Sequence, residues 1–127
     1  MIIGVGTDIF LMSRISDGSI QEGDAFWKRA YTAKEHQEAE KRIDKQVYYA
    51  TRFCAKEAVY KAISVANIEF HPGEIEIFTD EMEKPHAFLH GRTKEAMERI
   101  AGKYTIHVSI SYDTAYASSF AIAEKHK

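Results

Sequence analysis

"TRFCAKEAVYKA", residues 51–62, is the stretch on which the fold turns. At about 100° per residue, Cys54, Ala55, Ala58, Val59, Ala62 and Ile63 form one continuous apolar arc, so the segment reads as a helix buried along one side. It lies within the longest helical pattern of the chain, running from Asp44 to Ala66. Its charges are the difficulty. Glu57 and Lys61, four apart, share one edge of the arc, while Arg52 and Lys56, also four apart, lie toward the other. An ordinary surface pair accounts for Glu57 and Lys61 at a few tenths of a kcal/mol. A carboxylate facing a crevice beside small residues, able to hold a metal or take a proton, accounts for them equally, with the cations neutralising a phosphate-rich ligand. Spacing alone does not choose.

Working outward, "MIIGVGTDI" reads as an opening strand with Asp8 near its end, and Gly4 and Gly6 permit close backbone approach there. "LMSRI" starts a short helix before the turn "SDGS", and "DAFWKRAYT" is helical and amphipathic. In "TAKE", Thr32 and Glu35 have capping-box spacing. "EIEIF" (74–78) and "HAFLHG" (86–91) read as paired strands, and "RTKEAMERIAGK" as a helix stopped at Gly102. "YTIHVSISYD" and "AYASSFAIAE" are two closing strands. The order predicts an α+β fold, a mostly antiparallel sheet packed against helices, as a single domain over residues 1–127.

Composition narrows the function. A chain of 127 residues with 45% hydrophobic content is long enough for a core without disulfide or metal staples. Seventeen Lys plus Arg against nineteen Asp plus Glu, a net charge of -2, argue against nucleic acid as a main partner. The single Cys54 suits a reducing compartment. The N-terminus lacks a basic start, reaches Asp8 too early for a signal peptide, and is followed by no membrane-length apolar run. A cytoplasmic protein without a membrane partner is expected.

Two further groups bear on chemistry. Asp8 follows "GVGT" at a strand end, either capping the next segment or poised over the sheet edge. In "HVSIS" (107–111), strand geometry puts His107, Ser109 and Ser111 on one face and Val108 and Ile110 on the other. Three polar side chains on one face of a near-central strand suggest either a bordering solvated site or a plain solvent face. No P-loop, Rossmann fingerprint or zinc spacing is present.

"GVGTDI", "FWKRAYTAKE", "RFCAKEAVYKA", "KPHAFLHG" and "HVSIS", in that order over nearly the whole chain, resemble the holo-acyl-carrier-protein synthases, the small bacterial phosphopantetheinyl transferases. The resemblance implies the 4′-phosphopantetheinyl transferase-like fold. It also implies transfer of 4′-phosphopantetheine from coenzyme A to a serine of apo-acyl carrier protein, with Mg²⁺, releasing 3′,5′-ADP. The family builds trimers with sites between subunits. Carried over residue by residue, Asp8 and Glu57 match the metal-binding carboxylates, Lys61 the lysine near the diphosphate and Lys56 the lysine before the metal-binding Glu. Lys56 and Lys61, with Lys84, Pro85, His107 and Ser109, are carried over as coenzyme A contacts, and Arg14 as a basic position facing the carrier protein, with Lys28 and Arg29 as further candidates. Either Glu57 or a metal-bound water polarised by Asp8 could take the serine proton.

The chain departs from the family pattern at several places. Leu11 and Met12 stand where a Glu is usual, Ser64 and Glu83 where Gly is usual, and Tyr112 where a His is usual. These leave open a catalytically weak relative that binds coenzyme A or carrier without efficient transfer, and, more plainly, an α+β interaction module with surface ion pairs. The apolar "AYASSFAIA", with Ala117, Phe120 and Ala121 in need of cover, suggests a subunit interface, and the resemblance implies that the assembly is a cyclic homotrimer.

Overall fold

The computed structural model describes residues 1–16 and 24–127; most of the expected "SDGS" turn lies outside them. Strand β1 (Ile2–Leu11) leads into a 3₁₀ turn at Met12–Arg14. Helix α1 (Ala25–Arg29) starts at Asp24, whose side chain accepts from the backbone of Phe26 and Trp27. Helix α2 (Ala33–Glu40) opens with the expected capping box between Thr32 and Glu35. Helix α3 (Lys45–Ala62) is capped by Asp44 through the Val47 amide. It ends four residues before the predicted Ala66, because Ile63 leaves helical geometry and Ser64–Ala66 tightens into a 3₁₀ turn closed by left-handed Asn67. Strands β2 (Ile75–Thr79) and β3 (Pro85–Leu89), helix α4 (Gly91–Ala101), and strands β4 (Tyr104–Tyr112) and β5 (Tyr116–Lys125) follow.

All strand pairs are antiparallel, in the order β1-β5-β4 for one sheet and β2-β3 for a separate hairpin. The "HVSIS" strand β4 is therefore an edge, and β5 is the central strand. This corrects the near-central placement of β4: the first strand returns to pair with the last, which displaces β4 outward. On β4 the alternation is as expected, with His107, Ser109 and Ser111 exposed and Val108 and Ile110 partly buried.

Helix α3 lies along the inner face of the larger sheet. Cys54, Ala55, Ala58, Val59 and Ala62 are completely buried, against Ala117, Ala121 and Ala123 of β5. Contact with β1 is closer still. A Cβ on Gly4 would lie 1.7 Å from the Ala62 carbonyl oxygen, and one on Gly6 would lie 1.9 Å from that of Ala58. Only glycine lets strand and helix backbones touch there. Ala117 and Ala121 are thus covered by α3 within the chain, whereas Phe120 points outward and is exposed, correcting their grouping as three residues in need of an outside cover. Among the described residues no helix is long and apolar enough to cross a membrane.

Candidate active site

The backbone contact between β1 and α3 brings Asp8 and Glu57 together. Asp8 sits opposite Ser119 in the β1–β5 register. Beneath it, Ser119 Oγ donates to the Cys54 carbonyl at 2.7 Å and lies 3.1 Å from Cys54 Sγ, tying the central strand to α3. Burial pushes the Cys54 thiol up to about 12, so it is an inert part of the floor.

Asp8 Oδ1 accepts from Lys61 Nζ at 3.2 Å, and the same ammonium donates to the Thr7 carbonyl at 2.9 Å. Lys61 therefore reaches across to β1 instead of pairing along its own helix, and its side chain stays 54% exposed at the mouth of the site. Asp8 Oδ2 and Glu57 Oε1 are buried and have no hydrogen-bond partner among the described residues. Burial first, and then the charge of Asp8, push the Glu57 carboxyl above its usual range, while Arg14 and Lys61 pull it back. Arg14, stacked 4.6 Å over the Phe10 ring, thus acts on the carboxylate pair.

Two adjacent carboxylates, each with an orphaned buried oxygen, fit a hard divalent cation. Mg²⁺ characteristically takes one or two protein carboxylates and completes its shell with phosphate oxygens and water. Among the described residues no cluster of three or more His, Cys, Asp or Glu exists, so softer closed metal sites have no donor set here.

Other predicted residues fall elsewhere. Lys56 has no exposed surface. Its Nζ donates to Glu35 Oε1 at 2.7 Å and to the carbonyls of Pro72 and Ile75, so it is not available to touch coenzyme A. That corrects its placement among the ligand contacts; a helical wheel puts it at an exposed edge, but α2 and β2 cover that edge. His107 and Ser109 lie on the outer face of the sheet, away from α3, where His107 is bonded to Glu124 at 3.0 Å. Lys84 is exposed, with its backbone amide bonded to Asp80.

Pro85 does line a cavity, of about 460 Å³, with Arg42, Tyr48, Arg52, Glu83 and Tyr112. The Tyr48 ring carries the Arg52 guanidinium at 4.3 Å and that of Arg42 at 5.4 Å. Arg52 also donates to Thr79 Oγ1, and its Nε is buried with no partner. Lys41 and Lys45 instead form surface pairs with Glu38 and Glu40. Tyr48 is invisible to charge-based reading of the sequence; its spacing of four from Arg52 is the signal that could have found it. Glu83, standing where Gly is usual, adopts φ 61°, the left-handed region that favours glycine.

The model of the 4′-phosphopantetheinyl transferase superfamily matches residues 4–121. The holo-[acyl-carrier-protein] synthase of Fusobacterium nucleatum is 36% identical over 122 residues, covering 96% of this chain and 98% of the relative. The crystal structure of the holo-ACP-synthase from Plasmodium yoelii superposes with a TM-score of 0.83 at 28% identity, covering 100% of this chain and 98% of the other. The ACPS–CoA complex of Chronobacterium ammoniagenes does so with a TM-score of 0.83 at 25% identity, covering 98% of each chain. Fold and sequence agree: the chain belongs to the holo-[acyl-carrier-protein] synthase family of the 4′-phosphopantetheinyl transferase superfamily.

Proposed function

We propose that this protein transfers 4′-phosphopantetheine from coenzyme A to a serine hydroxyl of an apo-acyl carrier protein, with Mg²⁺, releasing 3′,5′-ADP. The observation that carries the reading is the pair Asp8 and Glu57, each with a buried unpartnered oxygen, beside the half-exposed Lys61. Asp8 and Glu57 would hold Mg²⁺, which when bound neutralises the diphosphate of coenzyme A.

The carrier serine oxygen attacks the phosphorus that bears pantetheine. Its bond to the bridging oxygen of the diphosphate breaks, and that oxygen leaves on 3′,5′-ADP. Lys61, with two of its three ammonium protons engaged by Thr7 and Asp8, has one left to meet the charge developing on the leaving phosphate. A serine hydroxyl needs a base. Glu57, whose carboxylate has a second oxygen beside the one that would hold the metal, is the base we assign.

The cavity of Arg42, Tyr48 and Arg52 supports a seat for the phosphorylated nucleotide end of coenzyme A, two guanidiniums held on one ring suiting a phosphate. Five residues separate Arg52 from Glu57, which turns them about 140° apart around α3. The cavity and the carboxylates thus sit on different sides of one helix. A homotrimer in which one chain presents the carboxylates and its neighbour the remaining contacts reconciles them. Exposed Val5 and Ile9 on β1 and Tyr116 and Phe120 on β5, beside outward His107 and Ser109, support the outer sheet face as the contact.

Mass spectrometry of an apo-acyl carrier protein incubated with this protein, coenzyme A and Mg²⁺ tests the reading. Gain of one phosphopantetheine on the serine, with 3′,5′-ADP in equal amount, is expected. An unmodified carrier overturns the transferase reading, and retained coenzyme A binding in that case would favour the binding-only relative.

A further inference from the structure

We propose that the buried Glu35–Lys56 ion pair is a positioning device for the active site: it sets the rotation of α3 about its own axis and so places Glu57 against Asp8. The inference rests on the transferase reading of that site.

The pair is the most deeply buried charge in the described fold, with side chains 0% and 1% exposed. Lys56 Nζ uses three donors on three separate elements: Glu35 of α2 at 2.7 Å, the Pro72 carbonyl at 2.9 Å and the Ile75 carbonyl at 2.5 Å. Glu35 is equally occupied. Its Oε1 also accepts from the Thr32 amide and its Oε2 from the Ile77 amide, both at 2.8 Å. Every donor and acceptor of the pair is satisfied, which a buried charge requires. Ion pairs of this kind are weak contributors to stability compared with apolar side chains of the same size, so their use here asks for another reason.

The opposite side of α3 supplies that reason. Where the helix meets β1, the contact is backbone on backbone, Gly4 against Ala62 and Gly6 against Ala58. Such a surface brings the elements close with few side-chain ridges to resist rotation, and the ties on that side are the half-exposed Lys61 to Thr7 and Asp8, and Ser119 to the Cys54 carbonyl. Lys56 lies about 160° around the helix from Ala58, so it holds the side that β1 does not. Glu57 falls between the two, about 100° from each. Among the described residues nothing bonds its Oε1, and the charge of Asp8 disfavours its ionised form. The placement of the carboxylate beside Asp8 thus depends on how the helix is turned. At a helix radius of about 5–6 Å, a rotation of about 10° shifts the Glu57 carboxylate by about 1 Å, a displacement that can cost about a hundredfold in rate.

The test compares Lys56→Met and Glu35→Gln with Met97→Ala, a fully buried core change on α4 that lowers stability without touching the pair. Each variant is assayed at the same interval below its own Tm. The expected result for Lys56→Met is a tenfold or greater fall in kcat with KM for coenzyme A within twofold, and a smaller fall of the same kind for Glu35→Gln. Met97→Ala should keep kcat within twofold. Calorimetric titration with Mg²⁺ alone should show at least fivefold weaker binding in Lys56→Met and none of that loss in Met97→Ala. Where Lys56→Met fails to fold, Lys56→Arg keeps the charge but changes the length of the tether, and the same split between kcat and KM is expected of it. A folded Lys56 variant with the kcat and Mg²⁺ affinity of Met97→Ala overturns the inference. Absence of transfer by the wild-type protein instead overturns the transferase reading, and the Mg²⁺ titration still decides the positioning role.

Discussion

Asp8 and Glu57 each carry a buried oxygen that none of the described residues satisfies, and they repel each other when both are ionised. Glu57 is held above its ordinary 4.5, so without metal the folded protein keeps a proton that the unfolded chain has released. The sign follows. This group favours folding below about 4.5, and that contribution is lost as pH rises through the raised value. In EDTA, Glu57→Gln should therefore melt higher than wild type at pH 7.5, the gap closing toward pH 4.5. A gap that stays constant with pH would contradict the repulsion. Excess Mg²⁺ should raise the Tm of wild type and leave that of Glu57→Gln nearly unmoved. Cys54, completely buried and with its thiol pushed up to about 12, should resist alkylation in the native state and react within minutes in denaturant. Fast native labelling would mean that α3 opens away from β5.

The seam between β1 and α3 tolerates no side chain. Gly6→Ala should cost about 3 kcal/mol, as overpacking against rigid backbone does, and should also remove activity by moving Asp8; thermal melts and transfer assays read both. The turn before β3 predicts the reverse. Glu83 sits at φ 61° and places its carboxylate 3.8 Å from Arg42 in the cavity. Glu83→Gly relieves about 1 kcal/mol of left-handed strain, partly offset by the freedom Gly adds to the unfolded chain. A modest rise in Tm and a lower KM for coenzyme A are expected; a fall in Tm would refute the strain.

How far such elements are legible in the sequence depends on whether their causes are local. The apolar arc of α3, the Thr32–Glu35 cap and the alternation of β4 are local patterns, and the structure has all of them. Lys56 is not legible, because its partner Glu35 is 21 residues upstream and only tertiary packing turns an apparent surface lysine inward. The exchange of edge and centre between β4 and β5 is invisible for the same reason: register between the first and last strands leaves no local mark. Within the candidate site, Asp8, Glu57 and Lys61 stand out as charges in apolar settings, whereas Tyr48 does not.

Across the molecule, one broad surface is unaccounted for within a single chain. Val5, Ile9 and Phe120 are 54%, 69% and 45% exposed on the outer sheet face. Phe120→Glu should convert a trimer into monomer in light scattering and reduce transfer by at least tenfold; a fully active monomer would refute the shared site. Docking of the carrier is better tested at Lys28 and Arg29, exposed at the end of α1, than at Arg14, whose charge already acts on Glu57. Lys28→Glu with Arg29→Glu should raise KM for the carrier several-fold in low salt and leave KM for coenzyme A unchanged.

The pairing of β1 with β5 also governs when the site can exist. Thr7 Oγ1 donates to the Ser119 carbonyl, a contact spanning 112 positions. On the ribosome, β1 therefore emerges with Asp8 and waits, unpaired and studded with Val5 and Ile9, until β5 has been translated. A nascent chain halted before β5 has α3 and Glu57 but no sheet to hold Asp8 against them. Long-range pairing of this kind is slow and leaves an apolar strand edge open in the meantime. Catalytic competence thus waits on β5, and the interval before it is when the chain is most exposed to mispairing and to chaperone capture.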